Sequence, residues 1–254
     1  MRFEMMVLFI SETPDNESEE VWEIIKERSI DTQNKIVSGI ANHFSSFTVS
    51  ADEVRHETPT HLSTGHPILL IHGVGIAPLP PQGDCDDTFM NLKDYLEDMG
   101  YDVWSFNYNT ARWIEITAGN LERAISGILQ QKLDANYQGN KKVTIISHSM
   151  GGLVTRAYIQ NYGLRYAPFP PMTERIYYNN DIDIVIMTGT PNHGSVWGAI
   201  NYAAAIEPHA RQINNALRLS SVQMIPGSDF LDNLNDTNRT LRLLPTDIDY
   251  HLIP

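Results

Sequence analysis

Ser149 ends an apolar, β-branched run in the stretch TIISHSMGGL, which covers residues 144–153 and continues into two glycines. A serine hydroxyl is a weak nucleophile that needs a base within hydrogen-bond reach and N–H donors where an oxyanion will form. A sharp turn from strand to helix meets part of this need, because it lifts the serine oxygen off the sheet and aims a helix N-terminus at it. The stretch therefore predicts a nucleophile at Ser149.

Small residues surround this serine at the spacing that such a strained turn requires. Ser147 lies two residues before it and Gly151 two residues after it. Gly152 allows the following helix to pack close to its strand. The backbone N–H of Met150 stands at the predicted helix start, so we expect it to be one oxyanion donor.

The second donor is expected from PILLIHGVG, residues 67–75, an apolar run that ends in glycines. Gly73 and Gly75 let this backbone approach a substrate oxygen closely. The Val74 N–H is the candidate donor. We expect His72 to order this loop through its imidazole rather than to act as the base.

Strand-like and helix-like segments alternate from residue 67 onward, and the strands are solid apolar runs. This texture predicts an α/β fold with a mostly parallel, twisted sheet and helices on both faces. Ligand sites in such sheets gather at the carboxyl ends of the strands. The predicted strands are 67–75, 101–109, 141–149, 181–191 and the tail from 247, and the predicted helices are 88–100, 120–133 and 151–163.

The combination of LLIHGVG, SHSMGG and GTPNHGS resembles the α/β-hydrolase superfamily over about residues 67–254. The likeness is nearest to bacterial triacylglycerol lipases and related esterases, and looser to the PGAP1-like group. The first small position of the turn is usually Gly in that superfamily, and Ser147 stands there in this chain. The resemblance implies a lipase or carboxylesterase that hydrolyses a lipid or other apolar ester through an acyl-enzyme on Ser149, with no cofactor and no metal.

The acid and the base that should serve Ser149 are not evident in the sequence. The expected order is Ser, then Asp or Glu, then His. The strand ending at residues 190–192 carries no carboxylate there, so the acid and base are expected after the last predicted strand, in a domain that is C-terminally incomplete. His193 is a possible base, although its context favours a cleft histidine. A catalytically deficient or truncated hydrolase fold that acts as a binding module is the alternative, and a thioesterase or acyltransferase on the same scaffold is a third hypothesis.

The chain is interpreted as three segments. Residues 1–51 form a short N-terminal segment, 52–66 a linker and 67–254 the hydrolase domain. The sequence SIDTQNKIVSGIANHFSSFTVSA resembles the closing strands of a β-sandwich module of large secreted bacterial proteins, and a plain β-hairpin is the alternative. Residues 195–228 form a long insertion that predicts a lid over the site.

Composition excludes several classes of function. The net charge of −13 and the lack of Lys/Arg clusters disfavour nucleic-acid binding. The single cysteine, Cys85, allows no disulfide within the chain. The expected partner is a small ester or lipid substrate, with transient contact to a lipid surface. No signal peptide is recognised, and the secreted likeness places an extracellular or cell-envelope location ahead of a cytoplasmic one.

Overall fold

The computed structural model describes residues 3–12, 21–24, 28–31, 36–39, 47–56, 61–74, 84–166, 173–196, 218–236 and 243–253, and it describes side chains from residue 54 onward. The chain divides into two compact units. The smaller unit is Glu4–Asp52, and the larger one comprises Glu53–Pro254 together with Met1–Phe3.

The smaller unit consists of antiparallel strand pairs. Strand β1 (Phe3–Glu12) pairs with β2 (Val21–Ile24), and β3 (Arg28–Asp31) pairs with β4 (Ile36–Gly39). The strand β5 (Phe47–His56) continues into the larger unit. The assignment of residues 1–51 to a β-sandwich module stays a prediction.

The larger unit is built on a mostly parallel sheet. Its strands are β5 and, in chain order, β6 (Pro67–Ile71), β7 (Asp102–Asn107), β8 (Val143–His148), β11 (Ile182–Thr188) and β12 (Asp249–Ile253). Their spatial order is β12-β11-β8-β6-β7-β5. Each neighbouring pair is parallel except β5 with β7. The carboxyl ends of the five parallel strands therefore share one edge, as the sequence predicts.

Helices cover both faces of this sheet. Alternate residues of β6 point to opposite sides: Leu69 and Ile71 join the core under α3 (Ile114–Asp134) and α4 (Met150–Ile159), whereas Ile68 and Leu70 pack with Cys85 on the other side. The latter side carries α1 (Cys85–Phe89) and α2 (Leu92–Asp98). The remaining described elements are β9 (Leu164–Tyr166), β10 (Thr173–Arg175), α5 (Arg218–Gln223) and α6 (Asp229–Asn235).

The helix predicted over 88–100 is wrong as a single element, because two short helices occupy this part of the chain. Asp84 caps the first of them, its carboxylate accepting a hydrogen bond from the Asp86 N–H at 2.6 Å. The break falls at Met90, whose φ of 37° no continuous α-helix accommodates. The first helix begins at Cys85, which is buried against the sheet, and therefore before residue 88, where the apolar spacing predicts the helix to start.

Part of the segment assigned to a linker is a sheet strand. Residues 53–56 end β5 and pair antiparallel with β7, with Val54 opposite Phe106 and His56 opposite Trp104. Charged residues alternate along this strand, which hides its apolar face from a search for continuous apolar runs. The division of the chain into domains otherwise stays a prediction.

A buried charge cluster stabilises the amino-terminal edge of the sheet. Asp102 accepts hydrogen bonds from the ring of His56, from Trp104 Nε1 at 3.0 Å and from Lys132 Nζ at 2.9 Å. Lys132 Nζ also donates to the Gly65 carbonyl at 2.5 Å. Burial by itself raises the pKa of Asp102, but the three donors outweigh it and hold that pKa below its usual range. The cluster thus connects β5, β7, α3 and the segment before β6.

Most of the lid predicted over residues 195–228 lies outside the described residues, because these do not include 197–217. Within the described residues, each helix is too short or too polar to cross a membrane.

Asp181, just before β11, is expected to make stability depend on pH. Burial raises the pKa of this carboxyl to about 6, although Tyr158 donates a hydrogen bond to it at 2.7 Å. Because the folded pKa lies above the unfolded one, stability is greatest at low pH and falls by about 3 kcal/mol as pH rises from about 4 to 6.

Asp181→Asn removes this titration and keeps a hydrogen-bonding group of the same shape. We expect a higher free energy of unfolding than the wild type at pH 7.5 and equal values near pH 4, measured by urea denaturation. A variant that is less stable than the wild type at both pH values would contradict the assignment.

Candidate active site

Ser149 forms an abrupt turn at the carboxyl edge of the sheet. It lies between the last residue of β8 and the first residue of α4, with φ 51° and ψ −122°. A positive φ in a residue with a side chain is strained backbone that neighbouring structure must hold in place. The Ser149 N–H donates to the Thr188 carbonyl at 2.8 Å, which fixes the turn to β11. Ser149 is half-buried, and its Oγ makes no hydrogen bond with the described residues.

Three glycines leave room for the segments that meet at this turn. A Cβ at Gly73 would lie 2.8 Å from the Ser149 Cβ, so the loop after β6 passes directly beside the serine. A Cβ at Gly151 would lie 2.6 Å from the carbonyl oxygens of both Ile71 and His72. A Cβ at Gly152 would lie 2.0 Å from Thr190 Oγ1. The first turn of α4 can therefore contact both the β6 loop and the β11 loop only because these positions lack side chains.

Two backbone N–H groups adjoin the Ser149 turn, those of Met150 and Val74. Met150 is the first residue of α4, so its N–H has no acceptor within the helix. Val74 follows Gly73 directly, and its N–H makes no hydrogen bond with the described residues. Both groups adjoin Ser149, one through the chain and the other through the close approach of Gly73. Their role as an oxyanion hole stays a prediction.

His72 orders the loop that carries Val74. Its Nε2 accepts a hydrogen bond from the Tyr108 N–H at 3.1 Å, so Nδ1 carries the proton and donates to the Gly73 carbonyl at 2.7 Å. The Tyr108 hydroxyl donates to the His72 carbonyl at 2.8 Å, and the two rings stack at 4.2 Å. Burial lowers the pKa of His72 to about 4. A neutral imidazole committed to two backbone groups is a structural support, not a base.

Tyr108 is a contributor that sequence reasoning missed. It follows β7, fully buried, and braces His72 through both its backbone and its hydroxyl. The signal was its position immediately after an apolar strand, at the same edge of the sheet as the HGVG sequence.

His193, the possible base, lies in the loop after β11 and is exposed. No hydrogen bond joins its imidazole to Ser149 among the described residues. The structure therefore places His193 at the carboxyl edge of the sheet, and its role as the base stays a prediction.

The other described histidines that pair with carboxylates do so away from the turn. His56 binds Asp102 at the amino end of β7, and His66 lies 3.5 Å from Asp183 near the start of β11. His251 contacts Asp249 at 3.2 Å within β12 itself. Within the described residues, Ser149 thus has no histidine–carboxylate pair at hydrogen-bond distance.

The described residues contain no cluster of three or more His, Cys, Asp or Glu side chains that could hold a metal ion. Cys85 is fully buried, and its Sγ lies 3.3 Å from the Leu70 carbonyl. Burial raises the pKa of this thiol, so it stays protonated and packs as a small apolar group.

The parallel sheet, the covering helices and the strained serine turn define the α/β-hydrolase fold of lipases and esterases. Known structures agree with this class. The mature Bacillus licheniformis lipase BlEst2 is similar with a TM-score of 0.50 and 18% identity, over 74% of this chain and 64% of the lipase. The phospholipase PlaB from Legionella pneumophila is similar with a TM-score of 0.50 and 14% identity, over 74% of this chain and 38% of PlaB.

A family model described as the PGAP1-like alpha/beta domain matches residues 90–224, slightly more than half of the chain. The chain therefore belongs to the PGAP1-like alpha/beta domain family. It spans less than two thirds of the length of the lipase and of the phospholipase.

Gly151→Ala is expected to lower the free energy of unfolding by about 1–3 kcal/mol, because the new methyl would meet two backbone carbonyls that cannot rotate away. Gly139→Ala is the matched control. There the atoms nearest to an added Cβ belong to the Tyr137 side chain, and we expect a smaller loss because the ring can move. Equal losses for both variants in thermal denaturation would contradict the tight contact at Gly151.

The buried neutral imidazole predicts acid sensitivity. Because the folded pKa of His72 lies below the unfolded value near 6.5, its contribution is complete above pH 6.5 and is lost as pH falls toward 4. The loss amounts to about 3 kcal/mol.

His72→Gln, which cannot titrate, is expected to be less stable than the wild type at pH 7, with the difference shrinking toward pH 4. Urea denaturation at both pH values measures this. A constant difference would show that His72 does not titrate between them.

Proposed function

We propose that this protein is a serine hydrolase of the lipase or carboxylesterase type, and that Ser149 forms the acyl-enzyme. The observation that carries the proposal is the strained Ser149 turn at the N-terminus of α4, with the β6 loop beside it. Structures of this kind hold a nucleophilic oxygen clear of the sheet and within reach of two N–H groups.

In the proposed reaction, Ser149 Oγ attacks the ester carbonyl and gives up its proton to a general base. The carbonyl oxygen becomes an oxyanion, which accepts hydrogen bonds from the Val74 and Met150 N–H groups. Collapse of this intermediate expels the alcohol, which takes the proton back from the base. Water then attacks the acyl-enzyme by the same steps, releasing the acid and restoring Ser149.

Rigidity of the two donors is the main contribution of the fold to this reaction. Each oxyanion donor in related chemistry contributes roughly a hundredfold to a thousandfold in rate. His72 and Tyr108 fix the backbone around Gly73, and α4 fixes Met150, so neither donor has to reorganise as charge develops.

The reaction needs a general base that takes the proton of the Ser149 hydroxyl. His193 is the candidate that the sequence offers, because it lies in the loop after β11 at the same edge of the sheet as Ser149. Its exposed imidazole would have to turn toward Ser149 when a substrate binds. The apolar ester class is supported by the names of the similar structures, a lipase and a phospholipase.

A catalytically deficient protein that binds apolar acyl compounds is the second candidate. It is favoured by one observation: among the described residues, Ser149 Oγ has no hydrogen-bonded histidine. A serine without a positioned base retains only the residual catalysis of the oxyanion donors.

A fluorophosphonate probe separates these candidates, because it reacts with activated serines. We expect labelling of the wild-type protein at Ser149, located by mass spectrometry of the labelled peptide. The labelled protein should also lose its hydrolysis of p-nitrophenyl esters. The preferred substrate class is identified by comparing rates on esters of increasing acyl length with rates on thioesters.

Ser149→Ala should abolish both labelling and hydrolysis, whereas Ser126→Ala, at an exposed position on α3, should change neither. A folded wild-type protein that is not labelled would refute the proposed activity and leave the binding function. Thioester hydrolysis without ester hydrolysis would redirect the substrate class.

A further inference from the structure

Arg156 is a buried cation on α4, about two helical turns after Ser149. Its guanidinium has no carboxylate partner among the described residues, and burial lowers its pKa. An unpaired charge inside a protein is costly and persists only where its hydrogen bonds are satisfied by well-placed groups. Its acceptors therefore indicate what it holds in place.

The acceptors of Arg156 are amide and carbonyl oxygens on three segments. Nη1 donates to Asn192 Oδ1 at 2.9 Å, and Nη2 donates to the Leu234 carbonyl at 3.0 Å and to Asn235 Oδ1 at 2.9 Å. Nε donates to Gln160 Oε1 at 3.0 Å. The Leu234 carbonyl belongs to the last turn of α6, where the helix dipole favours a cation.

These bonds close into a ring through two asparagines. Asn235 Nδ2 donates to the Asn192 carbonyl at 2.8 Å, so Arg156, Asn192 and Asn235 each contact the other two. The ring fixes both amide groups of the asparagines and the backbone at Asn192. The ring joins α4, the loop after β11 and the end of α6.

The loop that this ring holds forms one side of the Ser149 turn. Thr188 accepts the hydrogen bond of the Ser149 N–H, and Thr190 packs against Gly152. Further along the loop, Gly194 has a φ of 96° and lies against Pro226, where a Cβ would be 2.6 Å from the proline nitrogen. The Ser195 N–H donates to the Met224 carbonyl at 2.8 Å.

We propose that Arg156 is a positioning residue for the Ser149 site, which holds the loop of residues 188–195 as a preformed wall beside the nucleophile. This inference rests on the proposed function and adds a residue that touches no substrate. The loop carries His193, so the same ring also sets where that imidazole can reach. Arg156 acts through Asn192 and Asn235, not through its charge on the reacting atoms.

The test measures the second-order rate of Ser149 labelling by a fluorophosphonate probe, per folded molecule. It uses Arg156→Met, which removes all the donors, and Arg156→Lys, which keeps the charge but cannot reach every acceptor. Asn235→Ala opens the ring and leaves Arg156 in place. Arg165→Met is the matched control, since Arg165 on β9 forms a partly exposed ion pair with Glu122 on α3 at 2.5 Å.

We expect Arg156→Met to label at least about tenfold more slowly than the wild type at a temperature where circular dichroism shows it folded, because small misplacements of a site reduce rates steeply. Arg156→Lys should be intermediate, Asn235→Ala should be slowed as well, and Arg165→Met should match the wild type. With a p-nitrophenyl ester, kcat should fall and KM should change little.

Labelling at the wild-type rate in the folded Arg156→Lys and Asn235→Ala variants, with only a lower melting temperature, would overturn the inference and make Arg156 a purely structural residue. These two variants decide the matter if Arg156→Met does not fold. Failure of the wild-type protein itself to label is a different result, which refutes the proposed function and the inference together.

Discussion

The strained backbone of Ser149 has to be held in place by the segments packed around it. A φ of 51° persists only if the neighbouring segments leave the residue no easier conformation. The end of β6, the loop after β11 and the first turn of α4 all lie close to this residue. At each of these contacts one of the two partners is a glycine, which leaves room for the other. Contacts from these three segments therefore maintain the strained conformation of this one residue.

The two edges of the sheet differ in how their polar groups are paired. The amino-terminal edge holds the ion cluster of Asp102, in which every charge is paired and buried. At the carboxyl edge, the Ser149 hydroxyl and the N–H groups of Val74 and Met150 make no hydrogen bond with any other residue that the structure describes. The buried ion cluster therefore lies at the sheet edge opposite the Ser149 turn.

Much of this arrangement could be predicted from the sequence because the strands are buried on both faces and read as continuous apolar runs. The serine turn was predictable because strain of that kind demands small neighbours at fixed offsets. The strand ending at His56 was not, since alternating charges conceal it, and neither was the helix break at Met90, which depends on a positive φ that the residue type does not announce. The role that we propose for Arg156 could not be predicted either, because an arginine on a helix is interpreted as a surface residue until its acceptors on distant segments are known.

The complete burial of α4 has an electrostatic consequence. All ten of its residues, from Met150 to Ile159, are shielded from solvent. Water normally screens the partial positive charge at a helix N-terminus, but here protein surrounds the helix barrel on every side. Because water is kept away from the sides of α4, the partial positive charge at its N-terminus is screened less at the half-buried Ser149 than it would be at the start of a solvated helix.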